Sequence, residues 1–193
     1  MDKEIEPPAG IPPKAKQMFK GVIFDVWHWG QEMYDGTTTT FERLKRPDTV
    51  EVIATVGDKI ILVDQEQPAH GRPLVCLPGG RTDQSDDLLS EAKRELLEET
   101  GYASEDWQLW RSVKPYNKIV WQIHHFLARN CRLVQSQSLD SGEKIKTKLV
   151  SFDDFLMLSE DPNFWETDLK IFLFEMRLHP EKRDEFRTLL FPD

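Results

Sequence analysis

The sequence predicts an α/β protein. Three observations carry this. Short runs rich in β-branched and aromatic residues recur between turn signals over most of the chain. One strongly helical segment, 87–100, lies between two groups of these runs. The last forty or so residues hold further helical patterns, with Phe and Leu interleaved among Glu, Lys and Arg.

The elements follow in order. Residues 1–16 carry Pro7, Pro8, Pro12 and Pro13 with little apolar content, and read as a mobile N-terminal arm. Runs 19–29 and 37–44 flank Asp35-Gly36, a hairpin signal. Together, residues 17–48 read as N-terminal strands and a dimerisation element, and 49–193 as the main domain. Runs 49–56 and 59–64 form a second hairpin, turning at Gly57-Asp58. The short apolar strand 73–77 ends at Pro78-Gly79-Gly80. Asp86 or Asp87 caps the helix that follows, and Gly101 stops it. Strands are expected at 107–113 and 118–128, where Ile119, Trp121 and Ile123 alternate with polar or small neighbours. A polar loop, 135–146, leads to a last strand at 148–152. Helices are expected at 153–158, 168–178 and 180–190.

Composition narrows the function. The 193 residues carry a formal charge of −9, which excludes a broad electrostatic grip on nucleic acid. An acidic chain still suits a phosphorylated small molecule when bound cations offset the repulsion. Cys76 and Cys131 match no zinc spacing, and Cys76 between Val75 and Leu77 reads as a buried thiol. No run approaches the ~18 apolar residues of a membrane span. The opening Asp2-Lys3-Glu4-Ile5-Glu6 is not a signal peptide. A cytoplasmic location is expected.

The chemistry lies in residues 80–102, GRTDQSDDLLSEAKRELLEETGY. Glu95, Glu98 and Glu99 are spaced i, i+3 and i+4, so three carboxylates share an arc of roughly 100°. Crowded like charges cost helix stability, and hard divalent cations such as Mg²⁺ or Mn²⁺ reverse that cost. Leu89, Ala92 and Leu96 form an adjacent stripe that packs on a sheet. Pro78-Gly79-Gly80 keeps the preceding turn free of bulk, so backbone at Gly80 can approach a metal or a phosphate. An isolated E-x-x-E-E on a helix is usually a solvated face. Here, Gly80, Arg94, Glu95, Leu96, Glu98, Glu99, Gly101 and Tyr102 stand in one register. Six fixed matches arise by chance about once in ten million starts, at residue frequencies of roughly one in fifteen.

That register resembles the box of the Nudix family: Gly, five residues, Glu, seven residues, then Arg-Glu-apolar-x-Glu-Glu-x-Gly-apolar. The resemblance implies a Nudix-type α/β/α sandwich with a mixed sheet and an N-terminal antiparallel strand extension. It implies Mg²⁺ or Mn²⁺ held by Glu95, Glu98, Glu99 and Gly80, with Arg94 orienting the glutamates. The position of the family's first Glu is taken by Asp86, shorter by about 1.5 Å of reach. Reduced activity is expected from it, and Asp86→Glu leaving turnover and metal affinity unchanged would refute that.

The order of elements resembles the branch that hydrolyses ADP-ribose and nucleoside-diphosphate sugars. That branch implies metal-dependent cleavage of a diphosphate linkage in a nucleoside-diphosphate-X substrate, and a homodimer. Arg43 after Asp35-Gly36 fits it, and Pro115 gives further support. Gln65-Glu66-Gln67 departs from it, since the branch often has Gln-x-Arg there. Arg43, Arg46, Arg72 and Arg81 remain as phosphate-binding candidates, Arg43 and Arg81 foremost. The branch takes a catalytic Glu from a loop after the long strand, and Glu143 matches it. Lys144, Lys146 and Lys148 beside it either hold that carboxylate ionised or contact phosphates. Either Glu143 or a helix glutamate serves as general base. Trp27 and Trp29 flank His28 and offer base stacking worth ~1–3 kcal/mol, with core or dimer packing as the competing role. His124 and His125 face opposite sides of their strand. Related enzymes hydrolyse NADH, dinucleoside polyphosphates or nucleoside triphosphates, and some Nudix domains bind nucleotides without cleaving them.

Overall fold

The structure, a computed structural model, describes residues 5–68, 71–82, 87–139 and 141–192. Its chain falls into two compact units. Residues 1–49 with 112–123 make the first, and 50–111 with 124–193 the second. The first unit therefore takes in a segment, 112–123, that the sequence reading assigned to the second.

In the first unit, β1 (Lys16–Lys20), β2 (Asp25–Glu32) and β3 (Thr38–Lys45) form an antiparallel sheet, and β2 and β3 turn at Asp35-Gly36 as expected. The Asp35 carboxylate takes the backbone N–H and hydroxyl of Thr37, which fixes that turn. Run 19–29 is not one strand. It breaks at Gly21, whose N–H donates to the Phe24 carbonyl, so β1 and β2 are a hairpin of their own. Residues 5–15 form no strand, yet Ile11 and Ala15 are buried beside Trp27 and Trp29.

The second unit is built on a seven-stranded sheet. Its strands are β4 (Thr49–Val56), β5 (Lys59–Glu66), β6 (Leu74–Cys76), β7 (Gly79–Arg81), β9 (Asp106–Val113), β11 (Ile123–Arg129) and β13 (Lys144–Ser151). The main path runs β13-β5-β4-β11-β9, with β6 on β5 and β7 on β4. The two-residue strands β8 (Tyr102–Ala103) and β12 (Arg132–Leu133) pair separately. Run 118–128 is split. Its first part, β10 (Ile119–Val120), lies parallel to β3 in the first sheet, and β11 joins the second. Between them, Gln122 donates its backbone N–H to Asp48, and the Trp121 indole donates to Thr49, which ends the ladder.

Side-chain alternation along β4 and β5 divides the core. Val52, Ala54 and Ile61 face α1 (Leu88–Thr100), meeting Ala92 and Leu96. Burying Leu96 contributes roughly 1.5–3 kcal/mol. Ile53, Ile60 and Leu62 face α2 (Phe152–Met157), α3 (Thr167–Leu178) and α4 (Pro180–Leu190), where Phe155, Leu169, Leu173 and Phe186 close the core. A sheet with helices on both faces is the α/β/α sandwich that the resemblance implied.

The polar loop is shorter than the sequence suggested, because β13 begins at Lys144. Lys144 pairs across the ladder with Glu66 and Lys146 with Asp64, so two of the three lysines oppose carboxylates. Cys76 and Cys131 are buried and free. Burial pushes both thiols up, Cys131 to about 12. Among the described residues no helix is long and apolar enough to cross a membrane.

Candidate active site

α1 begins where Asp87 accepts from the N–H groups of Leu89 and Ser90, and it ends at Gly101 with φ 76°. The sequence offered Asp86 or Asp87 as the cap, and Asp87 fills it. Asp86 itself, and the expectation attached to it, lie outside the described residues.

Packing of Ala92 and Leu96 on the sheet orients the carboxylate face. Arg94 sits at its centre, bonded to Glu91 at 2.8 Å, Glu95 at 2.5 Å and Glu98 at 2.6 Å. The orienting role given to Arg94 has this geometry behind it. Glu91, which the sequence reading did not select, is the most buried of the three, at 2% side-chain exposure. Its i, i+3 spacing to Arg94 was the available signal.

Glu99 is 3% exposed and reaches back under the glycine turn, where it accepts from the Gly79 N–H at 2.9 Å. Burial pushes its pKa well above the ordinary 4.5, and the charges of Glu95 and Glu143 add to that. Glu95 is raised as well, by burial first and against the pull of Arg94, with Glu98 and Glu143 adding repulsion. The loop glutamate Glu143 acts on both through its charge. It lines a cleft of about 450 Å³ with Gln67, Arg72 and Lys144. Lys144 is bonded to Glu66 at 2.8 Å, and the Arg72 guanidinium to the Pro162 carbonyl at 3.2 Å.

Gly80 completes the centre. A Cβ there would collide with the Glu95 carboxylate, so only glycine leaves that oxygen its place. Carboxylates raised first by burial and further by one another's charge, beside a glycine whose missing Cβ leaves room for Glu95, fit a hard divalent cation. The fit is chemical rather than preset. Among the described residues no three acidic, histidine or cysteine groups already converge as a ligand set, because Arg94 holds Glu95 and Glu98. Glu98 is the most exposed of the three carboxylates on Arg94, at 40% side-chain exposure.

Arg81 is exposed on β7 in the same unit and is engaged with its surroundings. In the first unit, Arg43 donates to the Gly10 carbonyl at 2.7 Å and lines a cleft of about 570 Å³ with Lys45, Lys114, Tyr116 and Trp121. There, Arg46 covers the Trp121 ring at 4.3 Å, and Tyr116 stacks on that ring. Trp27 and Trp29 are corrected: at 2% and 7% exposure their rings are committed to packing with Ile11 and Ala15, which withdraws them from base stacking.

The sequence reading missed a second acidic group, on the sheet face opposite α1. Glu51, His125 and Glu166 are all buried. His125 Nε2 lies 3.0 Å from Glu51 Oε2 without the alignment of a hydrogen bond. Arg111 pairs with Asp168 at 2.8 Å nearby. These residues come from β4, β9, β11 and the start of α3, so no local spacing announces them.

Comparison with known proteins bears on the whole arrangement. The model of the NUDIX domain matches residues 45–172. The chain belongs to the Nudix hydrolase family. Two bacterial relatives are similar over most of their length. An ADP-ribose pyrophosphatase of Bacillus subtilis (strain 168) is 28% identical over 78% of this chain and 83% of its own. A methanol dehydrogenase activator of Bacillus methanolicus is 26% identical over 80% of this chain and 85% of its own. Among solved structures, that of an ADP compounds hydrolase superposes with a TM-score of 0.71 at 20% identity, covering 88% of this chain and 94% of that one. The Nudix fold accounts for the box helix, the sandwich and the glycine turn together.

Proposed function

We propose that this Nudix hydrolase cleaves the diphosphate linkage of a nucleoside-diphosphate-X substrate, such as ADP-ribose or a nucleotide sugar, with Mg²⁺ or Mn²⁺. The observation that carries the reading is the setting of Glu95 and Glu99 at the Gly79-Gly80 turn: Glu99 accepts from the Gly79 N–H, Glu95 lies against Gly80, and burial raises both carboxyls. Glu95, Glu98, Glu99 and the Gly80 carbonyl would hold the cation. It supplies Lewis acidity to water and offsets the charge of the diphosphate. Arg94 would keep Glu91, Glu95 and Glu98 oriented for it. Glu143 would accept the proton from the attacking water. Arg81 on β7 would meet a phosphate, and Arg43, in the cationic cleft of the first unit, is a separate phosphate-binding candidate. The name of the ADP-ribose pyrophosphatase relative supports this substrate class.

The protein acts as a cytoplasmic homodimer through its N-terminal sheet. Support comes from β1, an edge strand whose Met18 and Phe19 are about 60% exposed, next to the exposed Val22 and Phe24.

A second reading, nucleotide binding without cleavage, draws on Gln67, which stands where related enzymes carry an arginine, and on the closed Arg94–Glu98 pair. One experiment separates the two. Phosphate release is followed in a coupled assay with Mg²⁺, using ADP-ribose, ADP-glucose, GDP-mannose, a dinucleoside polyphosphate and NADH. Turnover of a diphosphate sugar is expected. Thermal stabilisation by these ligands with no turnover of any would replace hydrolysis with sensing.

A further inference from the structure

Glu166 is in an unusual place. It precedes α3 as the cap residue, where Ser, Thr, Asp or Asn is preferred because a short side chain reaches the helix N–H groups. Its side chain makes no capping bond. Instead it points into the sheet, 5% exposed, and Oε1 accepts from the Leu77 N–H at 2.9 Å. Oε2 has no hydrogen-bond partner, and neither has Oε2 of the buried Glu51. Burial, then the Glu51 charge, pushes the Glu166 carboxyl far up. Packing alone would favour an apolar residue here, since an incompletely satisfied buried acid costs stability.

The bond to Leu77 closes a short ladder. The Val75 N–H donates to the Asn163 carbonyl at 2.9 Å, and the Trp165 N–H donates to the Val75 carbonyl at 3.0 Å. Phe164 forms a parallel bridge to Val75. The Glu166 side chain continues this pairing by one more step. Beyond Leu77, the Pro78 carbonyl takes the Val52 N–H, and the Gly79 N–H goes to Glu99. The turn at 77–80 is thus held on one side by α1 through Glu99, and on the other by the entry to α3 through Glu166.

We infer that Glu166 is a positioning residue of the active site: its bond to Leu77 sets the seat of the 77–80 turn, and with it the approach of Gly79 to Glu99 and of Gly80 to Glu95. The inference rests on the cation-binding part of the function proposed above. Its test reads Mn²⁺ affinity by calorimetry, and exchange of the Leu77 and Gly79 amides by NMR, both without substrate. Glu166→Gln keeps an acceptor oxygen, so Mn²⁺ affinity stays within about 3-fold of wild type. Glu166→Leu keeps the volume and loses the acceptor, so both amides exchange faster and Mn²⁺ binds about 10- to 100-fold more weakly. A folded Glu166→Leu protein with wild-type Mn²⁺ affinity overturns the inference, as does a Glu166→Gln protein as weak as Glu166→Leu. Should the leucine variant not fold, Glu166→Asp withdraws the oxygen by about 1.5 Å. It must then show the same loss of affinity, and unchanged affinity overturns the inference. A wild type that binds Mn²⁺ but hydrolyses no diphosphate refutes the hydrolytic reading and leaves this one standing.

Discussion

The backbone N–H of Gly79 donates to the Glu99 carboxylate at 2.9 Å, tying the glycine turn to the last turn of α1. This bond survives Glu99→Gln, because the amide oxygen still accepts. The charge does not survive. The variant should fold, and melt without divalent cation at or above the wild-type temperature, since a costly buried carboxylate is gone. Turnover should fall about 10³-fold, the scale of several kcal/mol lost from cation chemistry. A Glu99→Gln protein with full metal-dependent turnover would sink the assignment.

Gly80 and Glu95 are in steric contact. Gly80→Ala places a Cβ against the Glu95 carboxylate. Overpacking of this kind costs about 1–3 kcal/mol. Urea unfolding should show that loss, and calorimetry should show weaker Mn²⁺ binding. Wild-type values in both would mean that Glu95 moves aside freely.

The raised acids make a pH prediction. Glu95 and Glu99 have folded pKa values above the ordinary 4.5. The folded state therefore holds their protons to higher pH than the unfolded chain does. The stability this brings is fully present below 4.5, and is lost as pH rises through the folded values. In EDTA, the melting temperature should fall over that window by this contribution. Mn²⁺ binds the ionised form, so its stabilising shift should grow as pH rises. Melting curves from pH 4.5 to 8, with EDTA or Mn²⁺, read both trends. A Mn²⁺ shift independent of pH would contradict them.

Arg94 holds Glu91 inside the protein. Arg94→Ala strips a buried carboxylate of its guanidinium and should cost about 3–5 kcal/mol. Arg94→Lys keeps the charge without the fork that meets three carboxylates, and should fall between the two. Equilibrium unfolding decides. An alanine variant as stable as wild type would show Glu91 to be satisfied without Arg94.

Phe19 is 62% exposed on the edge strand β1. If two copies pair there, Phe19→Glu should turn a dimer into a monomer in light scattering, with the second unit's helical signal in circular dichroism unchanged. A wild type already monomeric would remove the dimer.

Much of this site is legible in the linear sequence, because its spacing is local. The helix register places Glu95, Glu98 and Glu99 on one face whatever surrounds them. Asp87 and Gly101 bound that helix through bonds to residues within four positions. Gly57-Asp58 and Asp35-Gly36 turn their hairpins for equally local reasons. The reading fails where distant contacts override a local pattern. Run 118–128 alternates like one strand, but Asp48 and Thr49 capture its centre and send its halves to different sheets. Run 19–29 looks continuous, yet the Gly21 turn folds it back. Trp27 and Trp29 look available, yet Ile11 and Ala15 from the proline-rich segment cover them.

The Nudix box was determined by the sequence alone, since a helix brings residues three and four apart together with no help from the rest of the chain. What the box meets was decided only by the tertiary structure. Glu99 comes to the Gly79 N–H from 20 positions away, and Glu166 comes to Leu77 from 89. Such encounters depend on how the strands and α3 pack, and no periodicity within either segment encodes them.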